Sequence, residues 1–427
     1  MAQQQCSSSN IHKRRKQLCH SISEALASKS WSDAASLLLD LSQDPSTTTK
    51  LGSLQRWVRD ADGARFEDEP MSLSLLWLLC RVSSQRCAQR RPSSVTLRET
   101  VVWEPTARET SEDDSHESAL LEMLRSSVKI VHREKAALRQ PPNHFDLKIW
   151  GSFEPLPFLD SSPQKEPCRV DFPAVKGVFV VKDVLSRKEC RRLLVAAETL
   201  GFERDLPLSL DEKLEAQRLP SAGAFGCLGS DSEDDDEEEK KEGDEPVPGI
   251  SLQSRACVWC VDDSLNEALF ERCAKHLPQT WSDCSDAKGK AVGEGTLAGL
   301  NRRYRFYRYD PGGTYRPHVD GAWPASGLEK KKYVYDAYGD RLSKLTCLIY
   351  LNDDFNGGNT AFYTAADDES LRVDGVQPRA GSVLFFPHGC ASGSLLHEGS
   401  TVTEGSKFVI RTEVLYKWER RTEKTLS

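Results

Sequence analysis

The chain has 427 residues, of which 29% are charged and 38% hydrophobic, and its net charge is −8. That length accommodates roughly two or three domains, and the composition is that of a soluble globular protein with solvated insertions. So modest an acidity argues against nucleic acid as a partner, and no apolar run is long enough to span a bilayer.

The first 19 residues hold a basic cluster, Lys13-Arg14-Arg15-Lys16, with no apolar stretch after it, so no secretory leader is expected. The cluster reads as the solvated start of a helix or as a nuclear import signal. The 13 cysteines are scattered, as in proteins whose thiols stay reduced in the cytosol or nucleus.

From about residue 16 to 82 the period is helical. Leu18, Ile22, Ala25 and Leu26 share one face, and Trp31, Ala34, Ala35, Leu38 and Leu41 form a second stripe. The run 73–82 reads as a buried helix, and the stripes holding Trp57 and Trp77 read as core. A polar loop over 83–116 surrounds a short strand at Val101-Val102-Trp103, and a further helix is expected over 117–138. These elements predict a mostly α-helical N-terminal domain over 1–150. Prolines 155, 157, 163, 167 and 173 then mark a linker over 151–173.

Beyond it the period changes to two. Gly177-Val178-Phe179-Val180-Val181 is a strand, and Ser186 with Glu189 is a capping-box pattern ahead of a helix over 190–200. Residues 222–248, centred on the acidic run Glu233 to Glu239, cannot bury a core and are expected to be a disordered insertion. Ser230 and Ser232 beside it suit an acid-directed kinase or an unmodified loop equally. A strand at 256–261, a helix at 265–276, and strands at 304–309, 345–351, 383–386 and 408–416 follow, separated by Gly, Asn, Asp and Pro turns. Many short strands so spaced predict a sandwich or jelly-roll barrel.

One of those turns leads into Arg316-Pro317-His318-Val319-Asp320. Residues two apart in a strand share a face, so His318 and Asp320 can reach one metal ion. A histidine and a carboxylate leave room for a second imidazole, the facial arrangement suited to Fe(II) with open positions. His397 in Leu396-His397-Glu398-Gly399 and His388 in Pro387-His388-Gly389 compete for that place. Context and distance to the next basic residue favour His397, leaving His388 as a rim residue. Lys407, Val409 and Arg411 share a face of the last strand, so either cation suits the far carboxylate of a chelating cosubstrate.

These pieces, in this order, resemble the prolyl-4-hydroxylase-like branch of the 2-oxoglutarate/Fe(II) oxygenases over residues 173–418. Also carrying the resemblance are Leu345 to Phe355, Gly357-Gly358-Asn359-Thr360-Ala361-Phe362, and Pro378 to Phe386. The resemblance implies an α+β chain whose catalytic domain, 174–420, is a double-stranded β-helix (jelly roll) with flanking helices. It implies iron on His318, Asp320 and His397, and 2-oxoglutarate and O2 as cosubstrates, with ascorbate as an accessory reductant. Lys407 matches the residue that pairs the distal carboxylate, Tyr309 and Thr360 match pocket-lining positions, and Tyr315 matches an aromatic near the metal. The reaction implied is hydroxylation of a prolyl residue in a protein substrate, with release of succinate and CO2. The chain departs from collagen-type members near Glu413, where they carry a tryptophan shortly after the basic residue and this strand reads Arg411-Thr412-Glu413, and by the extra Arg411, which leaves Lys407 and Arg411 both open.

The Lys- and Tyr-rich segment 328–340 lengthens the loop after the metal pair and reads as a groove wall, a lid or an inert insertion. Cys257-x-x-Cys260 has no second pair, and residues three apart on a strand face opposite ways, so it is not a metal or redox motif. Two other classes of function remain: an iron-binding but catalytically idle scaffold, and an oxygenase of a nucleobase or small molecule.

Overall fold

Alternation places the centre of the molecule at strand Arg303–His318, whose two faces are both buried. Tyr304 and Phe306 point into one apolar cluster with Trp259, Phe385 and Ile410, while Tyr307 and Tyr309 point into another with Tyr350, Phe362 and Val409. The computed structural model describes residues 16–43, 49–84, 86–90, 92, 94–103, 117–139, 143–206, 251–285, 291–366, 369–389 and 393–418. The acidic insertion expected over 222–248 lies outside them.

The chain is a mixed α/β structure built on one large, mainly antiparallel sheet. Its strands run Thr96–Trp103, Ser370–Val376, Thr360–Ala365, His397–Gly399, Arg303–His318, Lys407–Lys417, Arg341–Tyr350, Val383–Pro387, Phe179–Lys182 and Cys168–Asp171 in spatial order. Strand Ser251–Cys260 also pairs with Arg303–His318. Adjacent elements in this list are often far apart in sequence, so the register depends on long-range pairing.

The expected capping box is present. Ser186 Oγ accepts from the amide of Glu189 at 3.2 Å, and Glu189 Oε2 accepts from the amide of Ser186 at 2.7 Å. Glu189 is itself buried and paired with Arg272 at 2.9 Å, which ties the Arg187–Leu200 helix to the Asp263–Ala274 helix. At the other end of the chain, Asp68 caps helix Glu69–Ser83 by accepting from the amide of Met71 at 3.0 Å.

The described residues between 16 and 150 hold strands as well as helices. The helices at 16–27, Trp31–Ser42, Leu51–Gly63 and Glu69–Ser83 form where the apolar stripes placed them. Ile22, Leu38, Trp57 and Leu75 then share a single buried cluster with Ala361, Tyr363, Leu371 and Val373 of the large sheet. Strands Thr96–Trp103, Val128–Glu134 and Leu147–Ser152 from the same span join that sheet. The helix expected over 117–138 stops at Ser127, because Val128, Ile130 and Val131 suit a strand and find a partner in Leu147–Ser152. The proline-rich stretch 151–173 is equally tied down: Leu156 and Phe158 are buried, and Cys168–Asp171 pairs with Phe179–Lys182. Among the described residues no helix is long and apolar enough to cross a membrane.

Trp57 is fully buried and donates from Nε1 to Ser23 Oγ at 2.9 Å. Trp57→Ala is expected to cost about 3–5 kcal/mol. Because the helices and the sheet share one core, scanning calorimetry is expected to show a single transition that moves down as a whole. A second transition left in place by the substitution would contradict the shared core.

Candidate metal centre

His318 is the last residue of its strand, and an irregularity sets its direction. Tyr315 pairs with Gly399 and His318 with His397, so three steps on one strand face two on the other. Pro317 sits in this bulge, where its missing amide hydrogen costs no ladder bond. Direct opposition puts the His318 and His397 rings on one side, with centroids 4.2 Å apart. Asp320 lies two residues past the strand end, so strand alternation is not what aims it. It nevertheless reaches both rings: Oδ1 is 3.5 Å from His318 Nε2 and Oδ2 is 3.7 Å from His397 Nε2.

The donor chemistry fits a divalent metal. One ligand atom from each of the three residues lies within 4.8 Å of the others. His318 Nδ1 meets Arg316 O at 2.8 Å and His397 Nδ1 meets Leu395 O at 2.9 Å. Each carbonyl accepts the Nδ1 proton and leaves the Nε2 lone pair facing the centre, as a ligating imidazole requires. Burial, reinforced by His318, pushes His397 down to about 3, which keeps it neutral and able to bind a cation.

Asp320 is 6% exposed. Burial alone would raise its pKa, but Arg411, with Nη2 at 3.2 Å, and the two imidazoles hold it well below the usual carboxylate range. Thr346 Oγ1 donates to Asp320 Oδ2 at 2.6 Å and lies 2.6 Å from His388 Nδ1, while His388 Nε2 lies 2.6 Å from Ser343 Oγ. His388 is therefore not a rim residue. It is 1% exposed and stands behind Asp320, joined to it through Thr346. Sequence spacing gave no signal for this link, since 42 residues separate Thr346 from His388.

The two cations on the last strand sit differently. Lys407 is buried, and its Nζ donates to Gly358 O at 2.7 Å. Burial without a counter-charge pushes its pKa down to about 7. Arg411 pairs with Asp320 and lies 3.7 Å from Glu413 Oε1, and its Nε has no hydrogen-bond partner among the described residues. Glu413 is anchored by Asn301 Nδ2 at 3.0 Å.

Lys407, Arg411, Tyr309, Tyr315 and Thr360 all line the cavity that holds the three donors, so every expected site residue faces the same space. The Tyr315 ring is 4.3 Å from that of His318, and Thr360 Oγ1 is 2.8 Å from Tyr350 OH. Tyr307 and Leu348 also line it and were not singled out in the sequence, although Tyr307 alternates with Tyr309. The cavity measures about 50 Å³.

Residues 304–412, which include all five metal-site and cation residues, match the family described as the 2OG-Fe(II) oxygenase superfamily. No curated protein matches the chain. Among solved structures, the viral collagen prolyl hydroxylase of Paramecium Bursaria Chlorella virus-1 is 15% identical, at a TM-score of 0.28. The match covers 57% of this chain and 97% of the viral one. A Pseudomonas putida prolyl-4-hydroxylase is 15% identical over 58% of this chain and 95% of its own, at 0.28. A Trichoplax adhaerens prolyl hydroxylase, solved with a hypoxia inducible factor peptide fragment, is 16% identical over 39% of this chain and 62% of its own, at 0.23.

Thr346→Val keeps the side-chain shape but removes the link between Asp320 and His388. The metal affinity is expected to fall by about 10–100-fold, the usual loss when an outer hydrogen bond to a ligand is deleted. Fe(II) titration against a competing chelator measures it, and an unchanged affinity would show that Asp320 does not depend on this link.

Proposed function

With residues 304–412 similar to the 2OG-Fe(II) oxygenase superfamily, we propose that the chain is an Fe(II)- and 2-oxoglutarate-dependent dioxygenase hydroxylating a prolyl residue of a protein. The observation that carries the oxygenase reading is the His318, Asp320 and His397 set, with His318 half-buried, the other two buried, and both imidazole Nε2 atoms turned inward beside a buried lysine. The prolyl assignment rests on the motif order, which resembles the prolyl-4-hydroxylase-like branch.

Iron with 2-oxoglutarate supplies O2 activation, the cosubstrate leaving as succinate and CO2 while a substrate C–H becomes C–OH. His318, Asp320 and His397 would hold the iron. Arg411 keeps Asp320 ionised, and Thr346 fixes the carboxylate's direction. Lys407 would pair the distal carboxylate of 2-oxoglutarate, the role left over once Arg411 is engaged by Asp320. To do so it must release Gly358 O. Tyr309 and Thr360 bound the space on that side, and the buried rings of Tyr307 and Tyr309 with the half-buried ring of Tyr315 limit water.

Burial holds Lys407 neutral above about 7, whereas pairing with a carboxylate needs it charged. Binding therefore takes up a proton, and the affinity for 2-oxoglutarate is expected to weaken as pH rises from about 7 toward 10.5. Lys407→Met is expected to bind poorly and to lose that dependence. The direct test is succinate formation with Fe(II), ascorbate and 2-oxoglutarate, paired with mass spectrometry of a treated proteome. Turnover and a gain of oxygen on proline are expected, both lost in His318→Ala. Oxygen found only on other residues or on nucleobases would overturn the prolyl assignment. Metal binding without turnover would support an idle scaffold.

A further inference from the structure

The Lys- and Tyr-rich segment after the metal pair forms a hairpin, Gly327–Glu329 against Lys332–Val334. Its turn residues Lys330 and Lys331 both adopt left-handed φ, 48° and 64°, which suits a two-residue hairpin but strains lysine. Between this hairpin and strands Val128–Glu134 and Leu147–Ser152 lies a cavity of about 250 Å³. It shares no lining residue with the metal cavity.

Arg303 forms its inner end. The residue is 4% exposed, and its guanidinium carbon lies 4.5 Å over the ring of Trp323. No hydrogen bond or ion pair engages that guanidinium among the described residues. Glu413 feels its charge but is beyond ion-pair distance. Stacking on Trp323 leaves its in-plane N–H edge available to the cavity.

The walls are aromatic. Tyr333 stacks with His132 at 6.0 Å and is fixed by Ser326 Oγ at 2.8 Å from its hydroxyl, and Tyr335 packs edge-on against Trp323 at 5.5 Å. Tyr335 is 52% exposed and marks the mouth, with the half-buried Glu134 beside it.

We infer that this cavity is a second binding site, for a small carboxylate carried on a flat ring. A carboxylate matches the planar donor edge of a guanidinium in a paired geometry that a point acceptor does not. Rings on the walls accept a flat apolar body in offset or edge-on contact. The volume falls just below the roughly 300–1,000 Å³ of pockets for drug-sized ligands, so the ligand is small. Glu134 at the rim limits affinity by repelling the anion, which gives the proposal a second handle.

Ligand-observed fluorine NMR with 4-fluorobenzoate tests this, with neutral 4-fluorobenzamide as the control. Saturable broadening is expected for the acid and not for the amide. Arg303→Gln should weaken binding by about tenfold or more, the factor that one charge-assisted hydrogen bond carries. Glu134→Gln should tighten it, and Lys407→Met should leave it in place. The inference is overturned if the acid does not bind, if acid and amide bind alike, or if Lys407→Met abolishes binding that Arg303→Gln spares. Should Arg303→Gln fail to fold, the rim variant decides, and no tightening in Glu134→Gln overturns it.

Discussion

A carboxylate at 6% exposure is the group around which the rest of the centre is arranged. Asp320 would be neutral or absent from such a place if burial acted alone. Arg411 supplies the opposing charge, Thr346 a hydrogen bond, and the two imidazoles face it from the remaining sides. That explains why Arg411 stands on the strand that also carries Lys407, and why the two are not interchangeable. One compensates Asp320, and the other is a buried amine that donates to the backbone carbonyl of Gly358.

The same constraint reaches the N-terminal helices. Gln55 Nε2 donates at 2.9 Å to the carbonyl of Val319, the residue between two metal-site side chains. Asp62, 2% exposed, pairs with Arg316, two residues before His318. Apolar contacts of those helices with Ala361 and Tyr363 lie on the strand that pairs with His397–Gly399. The helices thus hold the backbone on both sides of the ligand set, and they do so with buried polar contacts that leave little freedom of register.

What could be read from residues alone followed from period and local chemistry. The helical stripes, the capping box at Ser186, and the shared face of Lys407, Val409 and Arg411 are all short-range patterns, and the described structure contains each of them. His318 and Asp320 were paired for a reason that only half holds, because the strand ends between them. His388 takes its place from contacts with Ser343 and Thr346, far away in sequence, which local context does not show. The helix expected beyond Ser127 failed for a similar reason: a strand's partner, Leu147–Ser152, is tertiary information. Prolines near 155–173 marked an irregular path without revealing that Phe158 is core.

His318, Asp320 and His397 together are proposed to form one metal site, which His388 only supports. Titration with Co(II), followed by its visible d–d absorption, addresses this directly, because the band intensity reports on ligand type and number. One equivalent is expected to bind the wild-type chain, with the spectrum lost in His397→Ala and kept, at weaker affinity, in His388→Ala. Loss in His388→Ala with an unaltered spectrum in His397→Ala would contradict the account.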